Sequence, residues 1–162
     1  MGKLSKRGIN LLVSIETLQV YPYDDQTGKR IYEWVPGATI GVGKLLSKQE
    51  FEIYKDGITE EQAYSLFYKD LAPFEDCVSK TIKTQLTQEQ FDACVILAYN
   101  IGCASFKGSS VAKILNGIKT KYSSLDDAWL AWNKSQGKVM KGLTNRRKAE
   151  LNIFHRGIYE RW

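Results

Sequence analysis

Apolar positions recur at helical spacing along most of the chain, and one stretch breaks that rhythm. Ser5 is placed to cap a first helix, and Leu4, Gly8, Leu11, Leu12 and Ile15 fall on one face of it. From Tyr21 to Ile40 the pattern changes: Pro22, Gly28, Pro36 and Gly37 punctuate Tyr, Ile, Trp and Val. Turn residues among strand formers predict a small antiparallel hairpin or a three-stranded sheet. Ser47 opens a short helix over 48–54 that ends near Gly57. Thr59 and Gln62 form a capping box, and Ala63, Leu66, Phe67, Leu71, Phe74, Cys77 and Val78 follow at three-to-four spacing. They predict one long helix, kinked or split at Pro73, where an amide donor is missing.

From Thr87 the chain reads as helix. Thr87 and Gln90 make a second capping box before Phe91, Cys94, Val95, Leu97, Ala98 and Ile101, a segment apolar enough to be central and buried. Asn100-Ile101-Gly102 ends it. Ser109 or Ser110 caps the next helix, with Val111, Ile114 and Leu115 inward and Asn116-Gly117 at its end. Ser124 caps a helix over 125–133, whose Trp129 and Trp132 fit the core better than a sugar platform at that spacing. Gly137 and Gly142 bound a basic loop, and Thr144 or Asn145 caps a last helix through Phe154. No repeat or low-complexity linker interrupts the chain. The expected fold class is α+β and mainly helical.

At 162 residues the chain has room for one real core or two small lobes sharing a helix. Its 43% apolar and 25% charged residues are ordinary for a globular protein. A net charge of +5 favours an anionic polymer or surface without choosing among wall, nucleic acid and membrane. A single histidine, His155, excludes a His-based metal site, and no cofactor is expected. Lys44 and His155 read as surface residues. Cys77, Cys94 and Cys103 form no CxxC pair. Reduced, buried thiols in a cytosolic protein are the favoured reading, with one disulfide plus a free thiol as the alternative. The basic, then apolar start ends in Glu16 without a small-residue cleavage site, so a mature helix is expected rather than a signal peptide. No stretch is long enough to span a membrane.

The chemistry clusters around the break in the helical pattern. Glu16 closes the first helix beside its apolar stripe, Asp25 sits nine residues on in a Tyr/Pro/Asp/Gly turn, and Thr39 opens the segment TIGVG. A carboxyl beside apolar surface can stay protonated as an acid, although a solvated helix-end glutamate is the commoner case. Glycoside hydrolysis needs one carboxylic acid for the leaving oxygen and a second carboxylate to activate water or attack the sugar. A threonine can hold that water. Gly41 and Gly43 lack the third glycine of the dinucleotide fingerprint and follow a threonine, which excludes that reading.

As a set, Glu16…Asp25…Thr39, TIGVGKLLSK, TEEQAYSLFYKDL, QFDACVILAYNIG and GLTNRRKAELNIF resemble the phage-type lysozyme (endolysin) family, glycoside hydrolase family 24, over nearly the whole chain. YPYDDQTGK and SSVAKILNG also look like the lysozyme domain of a muramidase bacteriocin. The resemblance implies a single lysozyme-like domain over 1–162. It would comprise a small β-containing lobe at about 17–58, a connecting helix at about 59–80, and a helical lobe from 1–16 plus 81–162. It implies a monomeric peptidoglycan hydrolase that cuts the β-1,4 bond between N-acetylmuramic acid and N-acetylglucosamine, with inversion. It further implies storage in the host cytoplasm before release to the wall, and neither nucleic-acid binding nor membrane insertion. Glu16 would be the general acid, Asp25 the second carboxylate, and Thr39 the water-orienting residue. Arg146 matches an arginine that pairs with the acid, and Leu45, Tyr99, Asn100, Ser110 and Asn133 fall where the family lines its sugar cleft.

Two departures bear on that reading. KRIYEWVP lengthens the gap between Asp25 and Thr39 by about eight residues, which admits Asp24 or Glu33 as rivals to Asp25. The family's TIG-x-G usually precedes histidine, whereas Lys44 stands here, implying altered local pairing. The competing classes are a non-catalytic wall-binding module, a muramidase toxin or effector domain, and a nucleic-acid binder using Lys141, Arg146, Arg147 and Lys148.

Overall fold

A computed structural model describes residues 2–162. The chain runs α1 (Lys6–Glu16), β1 (Gln19–Asp24), β2 (Ala38–Gly41), β3 (Lys44–Leu45), α2 (Lys48–Tyr54), α3 (Glu60–Thr81), α4 (Gln88–Ile101), α5 (Cys103–Lys107), α6 (Ser110–Leu115), α7 (Leu125–Leu130), β4 (Lys134–Ser135), β5 (Lys138–Val139) and α8 (Lys141–Arg156). This is the expected α+β class. The described residues fall into two compact units, 12–71 and 2–11 with 72–162, so α1 and α3 each contribute to both.

In the unit of residues 12–71, β1, β2 and β3 form an antiparallel sheet in that order. Ala38, Ile40, Leu46 and Phe51 are its buried centre, with Ile31, Trp34, Val35, Tyr54 and Ile58 packed around them. Burying a side chain such as Phe51 contributes about 1.5–3 kcal/mol. Hydrogen bonds also tie the segment 29–36 to the sheet. Asp24 N donates to Lys29 O at 2.9 Å and Ile31 N to Pro22 O at 3.0 Å. Trp34 Nε1 donates to Leu46 O at 2.9 Å. Ser47 caps α2 through a reciprocal box with Glu50. Thr59 and Gln62 exchange the two bonds expected of theirs.

In the unit of residues 2–11 and 72–162, α4 is the central element and its residues Phe91–Ala98 are buried. Its capping box, Thr87 with Gln90, is as expected. The buried Asp92 carboxylate gathers Ser5 N at 3.0 Å, Ser5 Oγ, Gln88 Nε2 at 2.7 Å and the Tyr159 hydroxyl at 2.5 Å. Ser5 Oγ also accepts from Gly8 N, so it caps α1. Ser109 is the cap of α6.

Several expectations are corrected. The one long helix expected is present and is not split: Pro73 lies inside a continuous α3, at an exposed position where water can reach the carbonyl it leaves unpaired. α8 begins at Lys141, three residues before Thr144, with Met140 as a cap that makes no side-chain bond. α7 stops at Leu130 rather than 133. The basic loop contains a two-residue hairpin, because Gln136 and Gly137 both adopt positive φ, 52° and 79°, as a type I′ turn requires. Cys77 and Cys103 form a disulfide, and only Cys94 is free and buried. Reduced thiols throughout were the favoured expectation, and the alternative of one bridge plus one thiol is what the fold contains. Burial pushes the Cys94 thiol far up, so it is inert.

Candidate active site

Glu16 is the last residue of α1, and Thr17 turns the chain sharply out of the helix with φ 61°. A β-branched residue in that region is strained, by about 1–3 kcal/mol, and such strain tends to collect at functional positions. The Glu16 carboxylate lies against Gly43: a Cβ built there would sit 2.9 Å from Oε2. Gly43, with φ +72°, thus leaves the space that Glu16 fills.

Asp25 and Thr39 meet at Gly37. Asp25 N donates to Gly37 O at 3.0 Å, and Thr39 Oγ1 donates to the same oxygen at 2.9 Å. The Asp25 carboxylate packs over the Gly37 Cα, where a Cβ would come within 2.2 Å of Oδ1. Thr39 is buried in the middle strand, between Tyr23 on β1 and Leu45 on β3 in the register. Leu45 itself is exposed.

Tyr23 is buried on β1, paired in register with Thr39. Burial first, then the charges of Glu16 and Asp25, push its phenol above the usual tyrosine range. One buried ring therefore feels both carboxylates. Asp24 is employed differently: its Oδ1 accepts from Gln26 N at 3.0 Å and its carbonyl from Gly28 N at 2.7 Å, closing the turn. Glu33 is exposed on the extra hairpin segment.

Lys44 is not the plain surface residue expected. Its Nζ lies 3.5 Å from Glu50 Oε2 and 3.6 Å from Asp70 Oδ1. Burial raises the Asp70 carboxyl, against the pull of Lys44, while the Ser47 backbone N–H chiefly lowers Glu50. His155 is exposed, 2.7 Å from Asp126 Oδ1.

The other unit holds the remaining candidates. Asn100 lines a concavity of about 540 Å³ with Ile101, Ala131, Trp132, Lys134, Ser135 and Leu143. Ser110 lines an adjoining one of about 300 Å³ that shares Ala131 and Trp132. Trp132 thus faces open space, whereas Trp129 is core. Tyr99 packs edge-on to Phe74, with centroids 5.3 Å apart. Asn133 Nδ2 donates to Thr144 Oγ1 at 3.1 Å.

Arg146 is buried. Its Nε donates to Glu150 Oε2 at 3.0 Å, its Nη2 to Ile96 O at 3.1 Å, and its guanidinium lies 4.6 Å from the Trp162 ring centroid. The fully buried Arg147 puts Nε 3.0 Å from Glu150 Oε1, with the N–H poorly aimed, and donates from Nη2 to Asn100 Oδ1. Trp129 Nε1 completes the Glu150 shell at 3.0 Å. Burial raises the Glu150 carboxyl, and the two guanidiniums oppose it. Sequence reasoning missed this support for Asn100: Arg147 reads there only as part of the basic cluster offered to nucleic acid, and only its i,i+3 spacing from Glu150 hinted at an ion pair.

A helix-end glutamate, a turn aspartate and a strand threonine on a small sheet, in an otherwise helical chain, define a lysozyme-type α+β fold. The chain belongs to the phage lysozyme family, whose sequence pattern matches residues 13–150. It is 37% identical over 155 residues to the endolysin of Bacillus phage PZA, covering 96% of this chain and 56% of that protein. The chain thus spans little more than half the length of that relative. Among solved structures it is similar to the endolysin of Escherichia coli O157:H7 phage FAHEc1, at 30% identity and TM-score 0.74, covering 98% of this chain and 97% of that one. It is also similar to the muramidase domain of SpmX from Asticaccaulis excentricus, at 29% identity and TM-score 0.72, covering 96% and 99%.

Proposed function

We propose that the chain is a peptidoglycan hydrolase, an N-acetylmuramidase that cuts the β-1,4 bond between N-acetylmuramic acid and N-acetylglucosamine in bacterial lysis. One arrangement supports the reading most: Asp25 N and Thr39 Oγ1 share the Gly37 carbonyl at one end of β2, and the Glu16 carboxylate lies against Gly43 in the turn at its other end. The phage endolysin and muramidase relatives support the substrate class.

In this mechanism the half-buried Glu16 protonates the leaving oxygen. Asp25 takes a proton from the attacking water, and Thr39 orients that water, giving inversion. Asp25 is preferred to Asp24, whose carboxylate is used in closing the turn, and to Glu33 on the added segment. Leu45 of the small sheet and, in the helical unit, Tyr99, Asn100, Ser110 and Asn133 are the candidates for sugar contacts; Arg146 is engaged by Glu150 and the Ile96 carbonyl. We further propose one lysozyme-like domain acting as a monomer, reaching the wall by a separate route.

Turbidity of purified walls tests this directly. The parent should clear them and Glu16→Gln should not. Equal clearing by both would remove Glu16 as the acid, and no clearing by the parent would remove the hydrolase reading.

A further inference from the structure

The segment 29–36 forms a cluster of aromatic and cationic side chains beside β1. The Arg30 guanidinium carbon lies 3.8 Å from the Tyr21 ring centroid and 4.9 Å from that of Tyr32. Tyr21 is 42% exposed and Tyr32 75%. Next along the segment, Lys48 Nζ lies 5.1 Å from the Trp34 ring centroid. The platform is held from below. A Cβ at Gly57 would come within 2.7 Å of Tyr21 Cε1, so that ring rests on backbone. Arg30 bridges to Tyr23 on β1, and Tyr23 is two residues from Asp25 and opposite Thr39.

Arg30 pairs with no carboxylate among the described residues, and even Glu33 of its own segment forms no ion pair with it. Stacking on ring faces leaves the guanidinium edge free, and that edge matches a carboxylate in a bidentate fork. Prior ordering by the two rings also lowers the entropy lost on binding.

We infer that the Tyr21–Arg30–Tyr32 clamp is a binding site for a free carboxylate of the peptide stems on peptidoglycan, held one strand away from the catalytic acids. The choice of polymer rests on the hydrolase reading. The stems hang from the muramic acid residues of the strand being cut, so their carboxylates arrive with the substrate. The positive charge of the chain, +5, favours that approach. The site makes the enzyme prefer walls that still carry their peptides.

The test compares two wall preparations, both freed of teichoic acid so that phosphate does not compete. One keeps its peptide stems and the other is stripped by an amidase. Binding is read by cosedimentation in a Glu16→Gln background, and hydrolysis is read with Glu16 intact. Arg30→Ala should weaken binding to peptide-bearing walls about fivefold, the size expected of an exposed charge-assisted contact, and raise KM on them with kcat kept. On stripped walls both readouts should stay with the parent. Tyr32→Ala should act in the same direction, and Arg30→Lys should keep part of the effect. Equal losses on both preparations would assign the clamp to the sugars, to the lactyl carboxylate that the amidase exposes, or to folding, and no loss on either would leave it without a ligand; each result overturns the assignment to stem carboxylates. Failure of the parent to hydrolyse either preparation would remove the hydrolase reading, while the cosedimentation arm still decides the clamp.

Discussion

Gly43 and Gly28 separate backbone strain from damage to the site. Both have positive φ, +72° and +71°. A methyl group at Gly28 meets nothing within 4 Å, whereas at Gly43 it meets the Glu16 carboxylate at 2.9 Å. Each Gly→Ala change should destabilise the fold by about 1 kcal/mol, since alanine enters the left-handed region at similar cost in both places. Only Gly43→Ala should also displace the acid, and a displacement approaching 1 Å can lower turnover about a hundredfold. Wall clearing per folded molecule, alongside urea melts, checks this. Equal activity of the two variants would mean that Glu16 does not depend on its seat against Gly43. The same logic marks Gly37, where an added methyl would strike Asp25.

At the scale of elements, the sequence was legible where local chemistry decides. Ser5, Ser47, Thr59, Thr87 and Ser124 cap the helices expected of them, because a hydroxyl three residues before a free amide is a short-range signal. Glu16, Asp25 and Thr39 were legible as candidates by spacing and resemblance. Their meeting through Gly37, Gly43 and Tyr23 was not, because antiparallel register is a long-range property. The start of α8 was missed because Met140 has no capping side chain to announce it. The buried Arg147–Glu150–Trp129 network was missed because a run of basic residues reads as solvated. The Cys77–Cys103 bridge was underweighted because compartment statistics favour thiols where no export signal is read. That bridge ties α3 to the junction of α4 and α5 across 26 residues of sequence. Closing a loop of that length should add about 3 kcal/mol by restricting the unfolded chain. Dithiothreitol should therefore lower the urea midpoint of the parent but not of Cys77→Ser/Cys103→Ser. Identical midpoints with and without reductant in the parent would mean that the bridge contributes nothing.

At the scale of the molecule, one buried carboxylate joins the two ends of the chain. Asp92 in α4 binds Ser5 near the start and the Tyr159 hydroxyl near the end, and Arg7 lies 4.2 Å from the Tyr159 ring centroid. Burial, then the bond to Asp92 and its charge, push the Tyr159 phenol up to about 12. A folded-state pKa above the unfolded value, about 10 for a free tyrosine, means that folding favours the neutral phenol. The stabilisation is complete below pH 10 and is lost as pH rises from 10 to about 12, because the ionised phenol cannot donate to Asp92. Tyr159→Phe removes both the bond and its titration. The parent should therefore be more stable than Tyr159→Phe at pH 7 to 9, and the gap should close as the pH approaches 12. Every other group is common to the two proteins and cancels in the difference. Thermal melts of the pair at intervals from pH 7 to 12 measure it. A gap that stays constant across that range would mean that the phenol does not lose its grip on Asp92 by ionising.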